Sequence, residues 1–183
     1  MAMVAYRRNF VAGGSYFFTV TLRDRRARLL VEHIGDLRQA FVQTRARNPF
    51  VIEAMVVLPD HLHAIWRLPE ADADYPGRWK SIKSLFTQAL ARQGIDVGKR
   101  HDGSASIWQR RYWEHTLRDE QDCLHHIDYI HFNPVKHGWA QRVQDWPFSS
   151  FHRYVRRGWL PLDWAGEDIE ERSVALSARL EPK

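Results

Sequence analysis

Apolar positions recur along the chain with two different spacings. Residues 15–22 (SYFFTVTL), after the Gly13-Gly14 turn signal, have the β-branched and aromatic content of a strand. Across 32–46, Ile34, Leu37, Phe41 and Val42 fall at helical spacing, and Asn48-Pro49 stops the run. Residues 51–58 and 61–68 read as two strands joined by Pro59-Asp60 into an antiparallel hairpin. A helix over 78–92 follows, with Trp79, Ile82, Phe86 and Leu90 on one stripe. Residues 94–106 form a polar, glycine-containing loop, long enough to touch a ligand. A short strand over 112–117 precedes a helix from about Asp119 to Phe132, which Pro134 ends. The pattern predicts an α+β fold, with an antiparallel sheet, helices covering one face, and the open face carrying a site.

Length and composition narrow the class. A chain of 183 residues is enough for one domain with a real core and too short for two substantial ones. With 27% charged and 44% hydrophobic residues it is neither a disordered polyampholyte nor a membrane protein, and no apolar run approaches the roughly 20 residues that span a bilayer. The opening MAMVAYRRNF lacks the apolar stretch of a secretory signal, so a soluble cytoplasmic protein is expected. The single cysteine, Cys123, excludes an internal disulfide and a cysteine-built zinc site. Any metal must be held by histidine, carboxylate or amide.

Charge is uneven. Between Tyr6 and Arg28 six arginines face one acid, and between Pro76 and Arg118 nine Lys/Arg face three acids, whereas residues 163–183 carry six acids against three bases. The first two stretches interleave with Tyr6, Trp79, Phe86, Trp108, Tyr112 and Trp113, a mixture that suits nucleic acid. A solvated basic face with its aromatics in the core has the same composition, so the motifs must decide. The acidic stretch reads as a separate tail, giving one domain over 1–166 and a tail over 167–183.

Two constellations carry chemistry. In Asp60-His61-Leu62-His63-Ala64-Ile65-Trp66, strand alternation puts Leu62, Ala64 and Trp66 toward the helices and both imidazoles side by side on the other face, within reach of one divalent ion. Hydrogen-bonded histidines without a metal are the simpler alternative. In the helix 123–134, Cys123, Leu124, Ile127 and Ile130 form the buried side, with His125, Tyr129, Phe132 and Asn133 opposite. The i, i+4 spacing sets Tyr129 and Asn133 one turn apart, about 5–6 Å between β-carbons. Asn133 as a helix cap and Tyr129 as an amphipathic packing residue are the bland readings.

Taken together the groups suggest more. A metal on His61, His63 and the Asn133 amide oxygen would bind a nonbridging phosphodiester oxygen and turn the phosphorus toward the Tyr129 hydroxyl. A protonated phenol, with a free pKa near 10, is a poor nucleophile and needs such help. Attack leaves a 5′-phosphotyrosine and a free 3′-hydroxyl, and the stored bond energy lets strands rejoin without ATP.

The chain is similar to the REP-associated tyrosine transposases, single-tyrosine transposases of the HUH endonuclease superfamily. The resemblance rests on YRRNFVAGGSYFFTVTLRDRR, VVLPDHLHAIWRLPE, RWKSIKSLFTQ, IWQRRYWEHTLRDEQD, HHIDYIHFNPVKHGW and DWPFSSFHRYVRRGWLPLDWAG, most of the chain from Tyr6 to about Gly166. It implies a ferredoxin-like core, Mg²⁺- or Mn²⁺-dependent cleavage of single-stranded DNA, and the roles given to His61, His63 and Tyr129. Asn133 stands where related insertion-sequence enzymes carry glutamine. Relatives act as monomers or as homodimers, and the sequence leaves both open.

The resemblance also implies a substrate: imperfect palindromes folded into hairpins, with a short tetranucleotide at the foot of the stem. Tyr6, Arg7 and Arg8 match the family's opening segment as readers of that tetranucleotide, since arginine suits guanine as well as phosphate. Arg78, Lys80 and Lys83 recur at near-helical spacing and would track a hairpin backbone, or form a solvated helix face. Arg110, Arg111, Lys136 and His137 adjoin the site in sequence as phosphate contacts. No nucleotide cofactor and no membrane are expected. Two other classes stay open: a noncatalytic binder of DNA or RNA hairpins derived from a transposase, and a metal-dependent RNase that leaves no protein adduct.

Overall fold

The computed structural model describes residues 9–98 and 107–165; the expected DNA contacts Tyr6, Arg7 and Arg8, part of the polar loop and the tail 167–183 lie outside the described residues. The elements run β1 (Ser15–Thr21), α1 (Leu29–Glu32), α2 (Ile34–Arg47), β2 (Val51–Val57), β3 (His61–Arg67), α3 (Tyr75–Arg92), β4 (Trp113–Thr116), α4 (Glu120–Lys136) and α5 (Phe151–Arg156). Four strands form one antiparallel sheet in the order β2-β3-β1-β4. Connected as β-α-β-β-α-β through β4, this is the ferredoxin-like arrangement expected above.

Strand alternation builds one core. Tyr16, Phe18 and Val20 point to the same face of β1, and the register sets Phe18 opposite Ala64 and Val20 opposite Leu62. On this face α2 lays Leu37, Ala40 and Phe41, and α3 lays Trp79, Ile82, Phe86 and Leu90. The Trp66 and Trp79 rings stack at 4.1 Å across the layer. α3 starts earlier than its apolar stripe suggests. The Asp74 carboxylate accepts the Gly77 amide at 2.8 Å, and Pro76 sits in the first turn, where its missing N–H is no loss.

The other face is not open, which corrects the expectation of helices on one side alone. Phe17, Ala54, Val56 and Ile65 are apolar on that face and need cover, and α4 supplies Ile127 and Ile130 over them. Trp146, Phe151, Tyr154 and Trp164 of the C-terminal segment complete this second core. Pro134 does not end α4 but lies inside it, two residues before its last. So near the C-terminus a proline forfeits one hydrogen bond only. The true stop is Gly138, at φ +71°, where Gly138 N–H donates to the Val135 carbonyl and Trp139 N–H to that of Pro134. The extra turn brings Lys136 and His137 toward the histidines.

Candidate active site

His61 and His63 start β3, just after the 58–60 turn, and project beneath α4. Both are buried, with ring centroids 5.0 Å apart and nearly perpendicular planes. Each ring is held by its Nδ1 atom. Nδ1–H of His61 donates to the Asp60 carboxylate at 2.8 Å, and Nδ1 of His63 is 2.8 Å from the Thr19 hydroxyl. Asp60 is in turn gripped by Arg25, 2.6 Å away. Second partners of this kind orient metal-binding imidazoles and leave Nε2 for the ion. Nε2 of His63 is buried with no hydrogen-bond partner.

The electrostatics keep the pair neutral. Burial pushes the His63 pKa down to about 3, and the positive charges of His61, His137, Lys136 and Arg25 add to the effect. Burial also lowers His61, partly offset by the hydrogen bond and charge of Asp60. Neutral imidazole is the form that binds metal.

Tyr129 rises from α4 above this pair, its ring centroid 5.2 Å from that of His63 and 5.9 Å from Phe17. The histidines and the phenol therefore meet within one chain. At 37% exposure the phenol is open to solvent, while the Lys136 ammonium lies 4.9 Å over its ring. The His137 ring is 5.3 Å from His61. One turn along α4, Asn133 is fully buried, and neither atom of its amide has a hydrogen-bond partner. Leaving such a group unpaired costs about 1–3 kcal/mol. Two neutral imidazoles and an amide oxygen, with orphaned atoms on His63 and Asn133, are donor types that suit a divalent cation.

No family model matches the chain. A protein of Escherichia coli strain K12 named REP-associated tyrosine transposase is 50% identical over 165 residues, which cover 90% of this chain and 93% of that relative. The chain belongs to the REP-associated tyrosine transposase family. A Haemophilus influenzae protein given the same family name is 45% identical over 90% of this chain and 94% of its own. A solved structure of a REP-associated tyrosine transposase bound to a REP hairpin matches with a TM-score of 0.80 at 49% identity, covering 92% of this chain and 96% of that one.

In this family member the residues expected to bind DNA divide into groups. Lys136 and His137 stand at the site, and Arg110 and Arg111 are exposed just before β4. Lys80 is exposed on α3, on the far side of the sheet, and Lys83 on the same helix reaches the Gln109 carbonyl and the rings of Trp108 and Tyr112. Arg78 is not available to DNA. It is 2% exposed, paired with the Asp72 carboxylate at 2.6 Å, and donates to the carbonyls of Asn48, Pro49 and Asp74. A guanidinium's five donors suit such a junction between α3 and the turn before β2, which near-helical spacing does not reveal.

The sequence alone gives Asp60 and Thr19 no site role and singles out Trp113 only among the aromatics interleaved with the basic stretches. Asp60 adjoins His61 and could have been noticed as its carboxylate partner. Thr19 and Trp113 depend on strand register: His63, Thr19 and Trp113 form one row across β3, β1 and β4. His115, Asp122 and His126 also converge, with ligand-type atoms within 4.8 Å of one another. Here the Asp122 carboxylate holds the His115 ring at 2.9 Å and the Arg118 backbone amide, while Nδ1 of His126 meets the Asp122 backbone carbonyl at 2.8 Å and lies 3.1 Å from the carboxylate.

Among the described residues no helix is long and apolar enough to cross a membrane.

Proposed function

We propose that this family member nicks and rejoins single-stranded DNA at REP-type palindromic hairpins, with Tyr129 as nucleophile and Mg²⁺ or Mn²⁺ as cofactor. The observation that carries the reading is the meeting of Tyr129 and His63 at 5.2 Å in one chain, with Nε2 of His63 unpartnered below the phenol. The hairpin follows from the relative whose solved structure holds a REP hairpin. His61, His63 and Asn133 would hold the ion, which when bound neutralises charge on the phosphodiester.

The chain's own groups do the rest. Asp60 and Thr19 hold the imidazoles in orientation, and the Lys136 ammonium puts positive charge beside a phosphate approaching Tyr129. The phenol oxygen, its proton passed to solvent, bonds to phosphorus as the P–O3′ bond breaks, and the departing 3′-oxygen takes up a proton. The product is a 5′-phosphotyrosine and a 3′-hydroxyl. Attack by a 3′-hydroxyl on that phosphotyrosine reverses the step, so no nucleotide cofactor is consumed. Such a substrate belongs with the chromosome in the cytoplasm.

The test is to incubate wild type and Tyr129→Phe with end-labelled single-stranded hairpin DNAs, with Mn²⁺, Mg²⁺ or EDTA, and to resolve the products on denaturing gels. A metal-dependent adduct that survives SDS and is absent from the variant is the expected result. Tight hairpin binding with neither adduct nor nick in any metal would instead make the protein a noncatalytic binder.

A further inference from the structure

Beside the Tyr129 phenol a cavity of about 490 Å³ opens between β1, β4 and α4. Its lining is Phe17, Thr19, Trp113, His125, His126 and Tyr129, five of the six carrying rings and none an acid. The volume lies within the roughly 300–1,000 Å³ of small-molecule pockets. Trp113 is 49% exposed on a strand at the edge of the sheet, lines the cavity together with Tyr129, and stands in the same row as Thr19 and His63.

The wall that carries this indole is built to stay in place. The edge of Trp113 meets Phe17 at 5.6 Å, and its plane lies within 6° of the His115 ring, 5.9 Å away. His115 stacks in turn on His126 at 5.0 Å. Both histidines are tied to Asp122, His115 through the carboxylate at 2.9 Å and His126 through the backbone carbonyl at 2.8 Å, and His126 packs against Phe17 at 4.6 Å. A flat aromatic face held rigid and left open loses little freedom when another flat group lies on it. The surroundings are basic: Arg110 and Arg111 are exposed just before β4, and Lys136 lies over the Tyr129 ring. Aromatic faces beside cations are how proteins take unpaired bases from a phosphate backbone.

We infer that this pocket receives an unpaired nucleobase of the strand being cut, stacked on Trp113, so that the neighbouring phosphate is presented to Tyr129. The inference rests on the reading of Tyr129 as nucleophile, because only then does a base here adjoin the reacting phosphate. Trp113 is a positioning residue. It touches the base and acts on the phosphate through it.

The experiment is a cycle between protein and DNA. Hairpins with a single-stranded extension on either side receive an abasic site at one unpaired position at a time. Binding by fluorescence anisotropy and adduct formation are measured with wild type, Trp113→Phe and Trp113→Leu. Leucine keeps apolar cover for Phe17 and removes the aromatic face; phenylalanine restores a smaller one. Thermal unfolding confirms that each variant is folded. At one unpaired position the abasic site should weaken binding to wild type by about tenfold, to Trp113→Leu by less than twofold, and to Trp113→Phe by an intermediate factor.

A Trp113→Leu loss that is equal on intact and abasic DNA at every position overturns the inference, since it marks a structural effect. Wild-type behaviour of Trp113→Leu on intact DNA overturns it as well. Adduct formation without coupling sinks the pocket and leaves the nucleophile. Base coupling in binding, with no adduct from wild type in any metal, keeps the base site and sinks the cleavage reading.

Discussion

Thr19 and His63 face each other across the β1–β3 ladder, with the Thr19 hydroxyl 2.8 Å from Nδ1 of the ring. The contact fixes which nitrogen of His63 is presented beneath Tyr129. Thr19→Val keeps the shape of the strand and frees the ring. Loss of an outer partner of this type weakens metal binding by roughly tenfold or more. Calorimetric titration with Mn²⁺ should show that loss with the fold intact, and an unchanged affinity would remove Thr19 from the site.

Asn133 should separate stability from metal binding. Its buried, unpartnered amide burdens the metal-free protein. Asn133→Leu, which keeps the branching at Cγ and removes the polar atoms, is expected to raise metal-free stability by about 1–3 kcal/mol in urea unfolding. The same change should abolish the extra stabilisation that Mn²⁺ gives the wild type. A variant still stabilised by Mn²⁺ as strongly as wild type would exclude the amide as a ligand.

Arg78 and Lys80 are two positions apart on α3 and should behave oppositely. Arg78→Met strands the Asp72 carboxylate and three carbonyl acceptors, for a cost of about 3 kcal/mol. For a domain of this size that lowers the melting temperature by roughly 6–12 °C. Hairpin affinity of the folded fraction should hold. Lys80→Gln should leave melting unchanged, since the side chain is exposed.

Asp122 predicts an acid-dependent step. Burial alone would raise its carboxyl, but hydrogen bonds from His115 and Arg118 outweigh that and hold the pKa at about 2, below its ordinary 3.8. The folded state therefore binds its proton less readily than the unfolded chain. The resulting stability is complete above pH 3.8 and drains away as the pH falls toward 2. Urea midpoints of wild type and Asp122→Asn should differ most at pH 5 and converge by pH 2. A constant gap over that interval would contradict the assignment.

The hydrophobic pattern carried most of the fold, because strand alternation in LHAIW and the α3 stripe each report one buried face. It carried His61, His63 and Tyr129 for a related reason: residues two apart on a strand, or on the open side of a helix, announce their direction. Long-range register is not written locally. Nothing near Thr19 says that it faces His63 on one side and Trp113 on the other. The buried role of Arg78 was hidden likewise, since its acceptors at Asn48 and Pro49 lie about thirty residues earlier. The cover of α4 over the second face was legible in Phe17 and Ile65, whose apolar character on the histidine side required a partner.

Phenol and imidazoles drawn from the same chain set a stoichiometry. With Tyr129 beside the His63 of its own chain, the proposed nucleophile would let each copy hold one broken strand end at a time without a second copy. Specific nicking activity should then stay constant on dilution, and two ends can be exchanged only in succession on one molecule or between two that already carry them.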